Sequence, residues 1–300
     1  MSLLREGSGQ RKENATDRFT MIVDKIEALK KLGRRRKERK PPPGFSDIGE
    51  FWNGKYDSDF VTPITKAACN VDSRIALVLQ DWASYDGVCT SFNPEVAKYG
   101  YLPRLPTNRF LKELLRQTFS LGYEDVFINN LFPHLKRGAT SDNIRPNYLD
   151  LGFRDFCWPE IQIVKPKLVI CLGYDIYKTF TRNLRCPVQK VVAGDYFLYG
   201  DYVIYCQSHP GARGRNNRGG TETVLRDWLK MRQVMADRLG QGEIRLVHDK
   251  PTTLKKEKAH RDVDKRVRDV SNESHSFINA FMGFLLATFL SAVVLRTLGF

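Results

Sequence analysis

The chain has 300 residues, 42% of them hydrophobic and 27% charged, with a formal net charge of +14. Those fractions are ordinary for a folded protein rather than a disordered one, and the length admits one substantial α/β core with tails or two small domains. The basic excess points to a polyanionic partner, either nucleic acid or an anionic membrane surface, and composition does not choose between them. Six cysteines are present and none forms a C-x-x-C pair, which gives a zinc or redox motif little support. Cys171 and Cys206 lie in apolar runs as buried free thiols, a usage that suits a reducing compartment. The first residues are polar and charged, without a visible secretory signal.

Residues 1–43 read as a basic N-terminal arm. Phe19, Ile22, Val23, Ile26, Leu29 and Leu32 recur at helical spacing, which predicts a short amphipathic helix over 17–32. The run Arg34, Arg35, Arg36, Lys37, Arg39, Lys40 follows, either a solvated linker or an arm that grips phosphates. Pro41, Pro42 and Pro43 close the segment.

Residues 50–240 read as the globular domain. Four apolar, β-branched runs at 74–80, 126–131, 168–172 and 202–206 predict strands buried on both faces, as in a parallel sheet. Helical patterns alternate with them at 107–119, 153–164 and 174–183, with Thr107 the expected N-cap of the first, and a strong amphipathic helix follows at 221–239. Alternating strands and helices imply an α/β fold, a three-layer α/β/α sandwich around a central four-stranded, mainly parallel sheet. Residues 243–275 are a charged linker without apolar period. Residues 277–295 carry no charge, and a stretch of that length and apolarity predicts a transmembrane tail anchor over about 277–297. The basic residues before it place that side, and the catalytic domain, in the cytoplasm.

In an open parallel sheet, sites form beyond the carboxyl ends of the strands. Gln80 and Asp81 end the first run; Asn129 and Asn130, then His134, end the second; Gly173 follows the third; Gln207, Ser208 and His209 end the fourth. A carboxylate, an amide and an imidazole are thus expected on one rim. Singly, each has a structural explanation as a cap, a loop amide or an ordinary loop histidine; their occurrence at equivalent strand ends favours a site.

At these residues the pattern resembles the uracil-DNA glycosylase superfamily. LVLQDWASYDG (77–87) is similar to that family's first motif, LPTNRFLKELL (105–115) to its next helix, and VFINNLFP (126–133) to the strand ending in the base-reading Asn. EIQIVKPKLVICLG (160–173) resembles the approach to the third strand, and SHPGARGRNN (208–217) the His-Pro motif and its DNA-contacting loop. The resemblance implies a DNA glycosylase acting on a flipped-out base, without cofactor or metal, as a monomer on DNA. It implies that Asp81 stabilises the oxocarbenium-like sugar and orients water, that His209 hydrogen-bonds the base carbonyl, and that Gln80 and Asn130 bind the base, Asn130 reading its edge. Phe92 is expected to stack on the base, with Tyr85 and Trp82 as competitors. Arg213, Arg215 and Arg218 are expected to contact DNA phosphates.

Two departures bear on specificity. Ala83 stands where the uracil enzymes carry a Tyr that guards the pyrimidine 5-position, which leaves room for a 5-modified base. Gly211 stands where Ser is usual after His-Pro. Cys157 lies near one iron–sulfur ligand position of some branches, but the other three have no counterpart, so no cluster is expected. Two rivals remain: an inert DNA-binding membrane tether of the same fold, and an unrelated nucleoside- or nucleotide-processing α/β enzyme. The tail suggests action on incoming foreign DNA near the envelope.

Overall fold

The structure, a computed structural model, describes residues 6–138, 143–188 and 191–239. The expected linker over 243–275 and the expected membrane span over 277–297 lie outside these residues. Among the described residues, no helix is long and apolar enough to cross a membrane.

The chain opens with helix α1 (Glu6–Glu38) and a two-residue strand β1 (Phe45–Ser46). Strand β2 (Ile75–Asp81) is followed by short helices α2 (Tyr85–Cys89) and α3 (Pro94–Tyr99) and then by α4 (Pro106–Phe119). Strands β3 (Phe127–Phe132) and β4 (Leu135–Lys136) come next. Helix α5 (Pro146–Gly152) runs through one π-helical segment (Phe153–Cys157) into α6 (Trp158–Val164). Strand β5 (Leu168–Leu172), helix α7 (Tyr174–Asn183), strands β6 (Tyr196–Tyr199) and β7 (Tyr202–Gln207), and helices α8 (Ala212–Asn217) and α9 (Thr221–Leu239) are the last elements of the described residues.

The main sheet has the order β3-β2-β5-β7-β6. Four strands are parallel, in the registers Leu79↔Asn130, Val78↔Cys171 and Leu172↔Gln207. The sheet is five-stranded, which corrects the expectation of four. The added strand β6 pairs antiparallel with β7 through a tight turn at Gly200, whose φ is +55°. Its side chains are half-buried or exposed, so it lacks the continuous apolar run that marks an interior strand.

Strand alternation sorts the core into two faces. Ile75, Leu77, Leu79, Ile128, Ile170, Leu172 and Tyr205 pack under α4 and α9, with Leu111, Leu115, Trp228 and Met231 between them. Ala76, Val78, Phe127, Val169, Cys171 and Ile204 face the other way, against Phe153, Ile161, Tyr177 and Phe180. Helices therefore cover both faces, and backbone groups of the strands are spent on the ladder. Thr107 does not cap α4; Leu105 occupies that position and Pro106 the first turn, where a missing N–H costs nothing.

On the second face a carboxylic acid is fully buried. Glu160 Oε2 accepts a hydrogen bond of 3.0 Å from Asn129 Nδ2, and the buried Cys157 lies against the same amide. Desolvation pushes Glu160 up to about 8, so it is held neutral under the sheet.

Helix α1 is no appendage over its second half, contrary to the expected free arm. Leu29 is fully buried, Ile22 and Ile26 pack on the same cluster, and Gly33 approaches so closely that a Cβ there would lie 2.0 Å from the Asp59 carbonyl oxygen. The basic run is also pinned. Arg36, completely buried, makes hydrogen bonds of 2.8 and 2.7 Å to Asp47 and pairs with Asp57; Lys37 lies 3.3 Å from Asp57, and Arg39 pairs with Asp155. Periodicity shows the apolar stripe but not which acids meet the guanidinium.

Arg36→Ala strands two acids around a buried vacancy, and breaking such a buried pair costs on the order of 3–5 kcal/mol. The variant is expected to melt roughly 10 °C lower and to lose residues 6–38 early in limited proteolysis. Melting and digestion like the parent would show that α1 is held by its apolar stripe alone.

Candidate active site

Reading the parallel strands in chain order, β2 and β3 run toward one edge and β5 and β7 toward the other, so the order reverses between β2 and β5. Such a switch point splays the following loops apart and opens a crevice beyond the strand ends. A cavity of about 980 Å³ lies there. Its wall includes Gln80, Asp81, Trp82, Ala83 and Ser84 after β2, Asn130 of β3, Gly173 and Tyr174 after β5, and Ser208, His209 and Arg213 after β7. The three groups expected to meet, Asp81, Asn130 and His209, line this one cavity.

Each is prepared differently. Asp81 is largely buried, and desolvation raises its carboxyl above the usual range. The opposing influence is Lys136, whose Nζ lies 3.1 Å from Asp81 Oδ2, with Gln80 also hydrogen-bonding the carboxylate. Asn130 is 1% exposed, and its Oδ1 has no hydrogen-bond partner among the described residues. A buried amide oxygen without a partner is costly unless something satisfies it. Its neighbour Asn129 points through the sheet to Glu160, so strand alternation separates the two adjacent amides.

His209 takes its orientation from the next turn. The Gly211 amide donates to His209 Nδ1 at 3.0 Å, which makes Nδ1 the acceptor and leaves the ring proton on Nε2. Burial, with Arg215 nearby, pushes the imidazole below its usual value, so the neutral form prevails near pH 7. The result is a neutral N–H donor on the same cavity wall as the Asp81 carboxyl and the Asn130 amide. Gly211 permits this turn: a Cβ there would lie 2.8 Å from His209 Nδ1 and 3.3 Å from Thr107 Oγ1. Gly214 is equally tight, its Cβ position 2.2 Å from the His209 carbonyl oxygen.

Other expected residues fall elsewhere. Phe92 does not line the cavity; its ring stacks on Tyr56 at 5.6 Å and 18°, with Lys55 Nζ 5.1 Å from its centroid. Tyr85 packs edge-on against Phe51 outside the wall. Trp82 is on the wall but tied by its indole N–H to Gly100 O at 2.7 Å. The aromatic side chains on the wall are Tyr56, Trp82, Tyr101 and Tyr174, of which Tyr174 is the most exposed. Tyr56 carries no sequence signal because it lies before the first interior strand in irregular chain. The arginines also divide. Residues 212–217 form helix α8 rather than an open loop. Arg215 bonds the Pro210 carbonyl at 2.7 Å and covers the Phe110 ring, and Arg218 makes a two-pronged pair with Asp227. Arg213 alone of the three is exposed, and it stands at the cavity.

Gly211→Ser is expected to push His209 out of its turn, at about 1–3 kcal/mol as for other overpacked sites. The ¹⁵N shift of the imidazole, reporting loss of the Gly211 hydrogen bond, checks it; an unchanged shift would mean that the turn has room for the Cβ.

Residues 90–232 match the family model for the uracil DNA glycosylase superfamily. No curated protein matches the chain. The matched segment begins after Asp81 and contains β3 with Asn130, β5, β7 and the turn that carries His209. The family match and the groups gathered at the sheet's switch point come from separate observations and agree: over residues 90–232 the chain is similar to the uracil DNA glycosylase superfamily.

Proposed function

We propose that the protein is a DNA glycosylase that hydrolyses the N-glycosidic bond of an extruded uracil or 5-modified pyrimidine. The observation that carries this reading is the meeting of Asp81, Asn130 and a neutral His209 on one cavity wall. Cleavage builds positive charge on the sugar and negative charge on the departing base. Asp81 opposes the first and orients the attacking water; the His209 Nε2–H opposes the second at the base carbonyl. The unpartnered Asn130 oxygen accepts from the base edge, and Gln80 supports Asp81. Since Phe92 is engaged with Tyr56, the stacking ring comes from the wall, Trp82 or Tyr174. Arg213 serves the DNA backbone, while Arg215 and Arg218 hold the turn that presents it.

The cavity volume lies near the upper end of the range for small-molecule sites. With Ala83 on its wall, it favours a base larger than uracil. A panel of duplexes carrying uracil, mismatched thymine and modified cytosines, with the freed base read by mass, decides the substrate. Release confined to uracil would remove the modified-base reading. Asp81→Asn is expected to reduce release by about 10²–10⁴-fold and to leave salt-sensitive DNA binding intact; full turnover by that variant would sink the assignment.

The uncharged stretch 277–295 of the expected span and the basic linker before it support a membrane tether with the catalytic domain on the cytoplasmic side. Action on foreign DNA at the envelope is consistent with that placement. Removing residues 277–300 is expected to move the protein from the membrane pellet to the supernatant, and continued sedimentation with membranes would discount the tether.

A further inference from the structure

No sequence pattern places a cation beside Asp81, and Lys136 belongs to none of the motifs that point to the site. It is nevertheless the nearest charged neighbour of that carboxylate. The Lys136 side chain is 5% exposed, the Asp81 side chain 12%, and Nζ and Oδ2 are 3.1 Å apart. Lys136 is absent from the cavity wall, so it reaches the reacting region only through Asp81.

Its backbone is held on both sides. Phe45 of β1 pairs with Lys136 and Ser46 with Leu135, in the small antiparallel sheet of β1 and β4. On the opposite side Ser84, three residues beyond Asp81, makes a parallel bridge to Lys136. The strand β1 leads directly into Asp47, which Arg36 of α1 grips with two hydrogen bonds. The chain of contacts from the buried guanidinium of α1 to the Asp81 carboxylate is therefore continuous: Arg36, Asp47, β1, Lys136, Asp81.

We infer that Lys136 is a positioning residue that holds the Asp81 carboxylate as an anion in one orientation through Oδ2. This rests on the glycosylase reading only for its link to turnover. A carboxylate taken out of water with no cation beside it reverts to the neutral acid, which can neither face a cationic sugar nor accept a proton from water. The other charged or titratable groups around the cavity are His209 after β7, Asp175 and Lys178 of α7, Arg213 of α8, and Tyr56, Tyr101 and Tyr174. None of these is among the influences on Asp81, whose carboxyl is raised by burial and lowered by Lys136 and Gln80.

The sign follows from those influences. Removing the cation leaves the raising influence of burial less opposed, so Asp81 titrates at a higher pH. An opposite charge at this range is worth about 1–3 pH units. The test is a carboxyl-carbon NMR titration of the full chain, with the Asp81 resonance assigned by its loss in Asp81→Asn. Lys136→Met is expected to raise the Asp81 midpoint by about one unit or more, and Lys136→Arg to leave it within about half a unit of the parent, as a retained charge requires. If the Met variant does not fold, Lys136→Gln carries the same expectation. An Asp81 midpoint unchanged in the uncharged variants would overturn the inference.

A second readout separates this inference from the functional proposal. On a uracil-bearing duplex, the acid limb of kcat/KM should move to higher pH in Lys136→Met, with activity recovering toward alkaline pH. A uniform loss at all pH values, with the limb in place, would mark Lys136 as merely structural and overturn the inference. A shifted Asp81 midpoint in a protein that releases no base from any duplex would uphold the Lys136–Asp81 coupling and defeat the glycosylase reading instead.

Discussion

A parallel sheet covered by helices on both faces has only its strand ends left for chemistry. Here β2, β3, β5 and β7 spend their backbone groups on the ladder and their side chains on two apolar layers. Polar residues placed along those strands must find partners inside, as Asn129 does with Glu160. Polar residues at the carboxyl ends meet the crevice that the reversed strand order opens between β2 and β5. Asp81, Asn130 and His209 share a cavity for that reason, although about 130 residues of chain separate the first from the last.

Burial then sets the electrostatics. The same exclusion of water that strengthens a hydrogen bond to a developing charge also favours neutral over charged side chains. For His209 this is helpful, because the Gly211 amide fixes the proton on Nε2 and the neutral ring remains a donor. For Asp81 it is adverse, and the ion pair with Lys136 is the local remedy. Two groups in one cavity thus respond to one environment in opposite ways, and the neighbours supplied by the fold make both suited to their place. The pair also draws the N-terminal helix into the site's architecture, since the strand that pairs with Lys136 is anchored through Asp47 to Arg36.

Much of the site is legible in the amino-acid sequence. The four interior strands announce themselves as apolar runs, and the residues just past them, Gln80-Asp81, Asn130 and Ser208-His209, follow from where such sheets keep their sites. The residues that the structure engages away from their expected partners share one feature. Phe92, Arg215 and Arg218 are of the right chemical type in the right stretch of chain, yet each is occupied: Phe92 by Tyr56, Arg215 by Pro210 and Phe110, Arg218 by Asp227. Tyr56 lines the cavity and Lys136 pairs with Asp81, yet neither gives a signal, one lying in irregular chain and the other in a two-residue strand.

The sequence by itself determined the periodic part of the molecule: the four interior strands and the longer helices, the parallel character of the sheet, and the polar residues at its strand ends. Period and register are local properties, written into every second or every third to fourth residue. Only the tertiary structure decided which charges meet. It turned a basic segment that looked like a free arm into a clamp on Asp47, Asp57 and Asp155, and set a lysine 55 positions further along the chain against the Asp81 carboxylate. An ion pair depends on a few ångströms between residues distant in sequence, and no pattern along the chain encodes that distance.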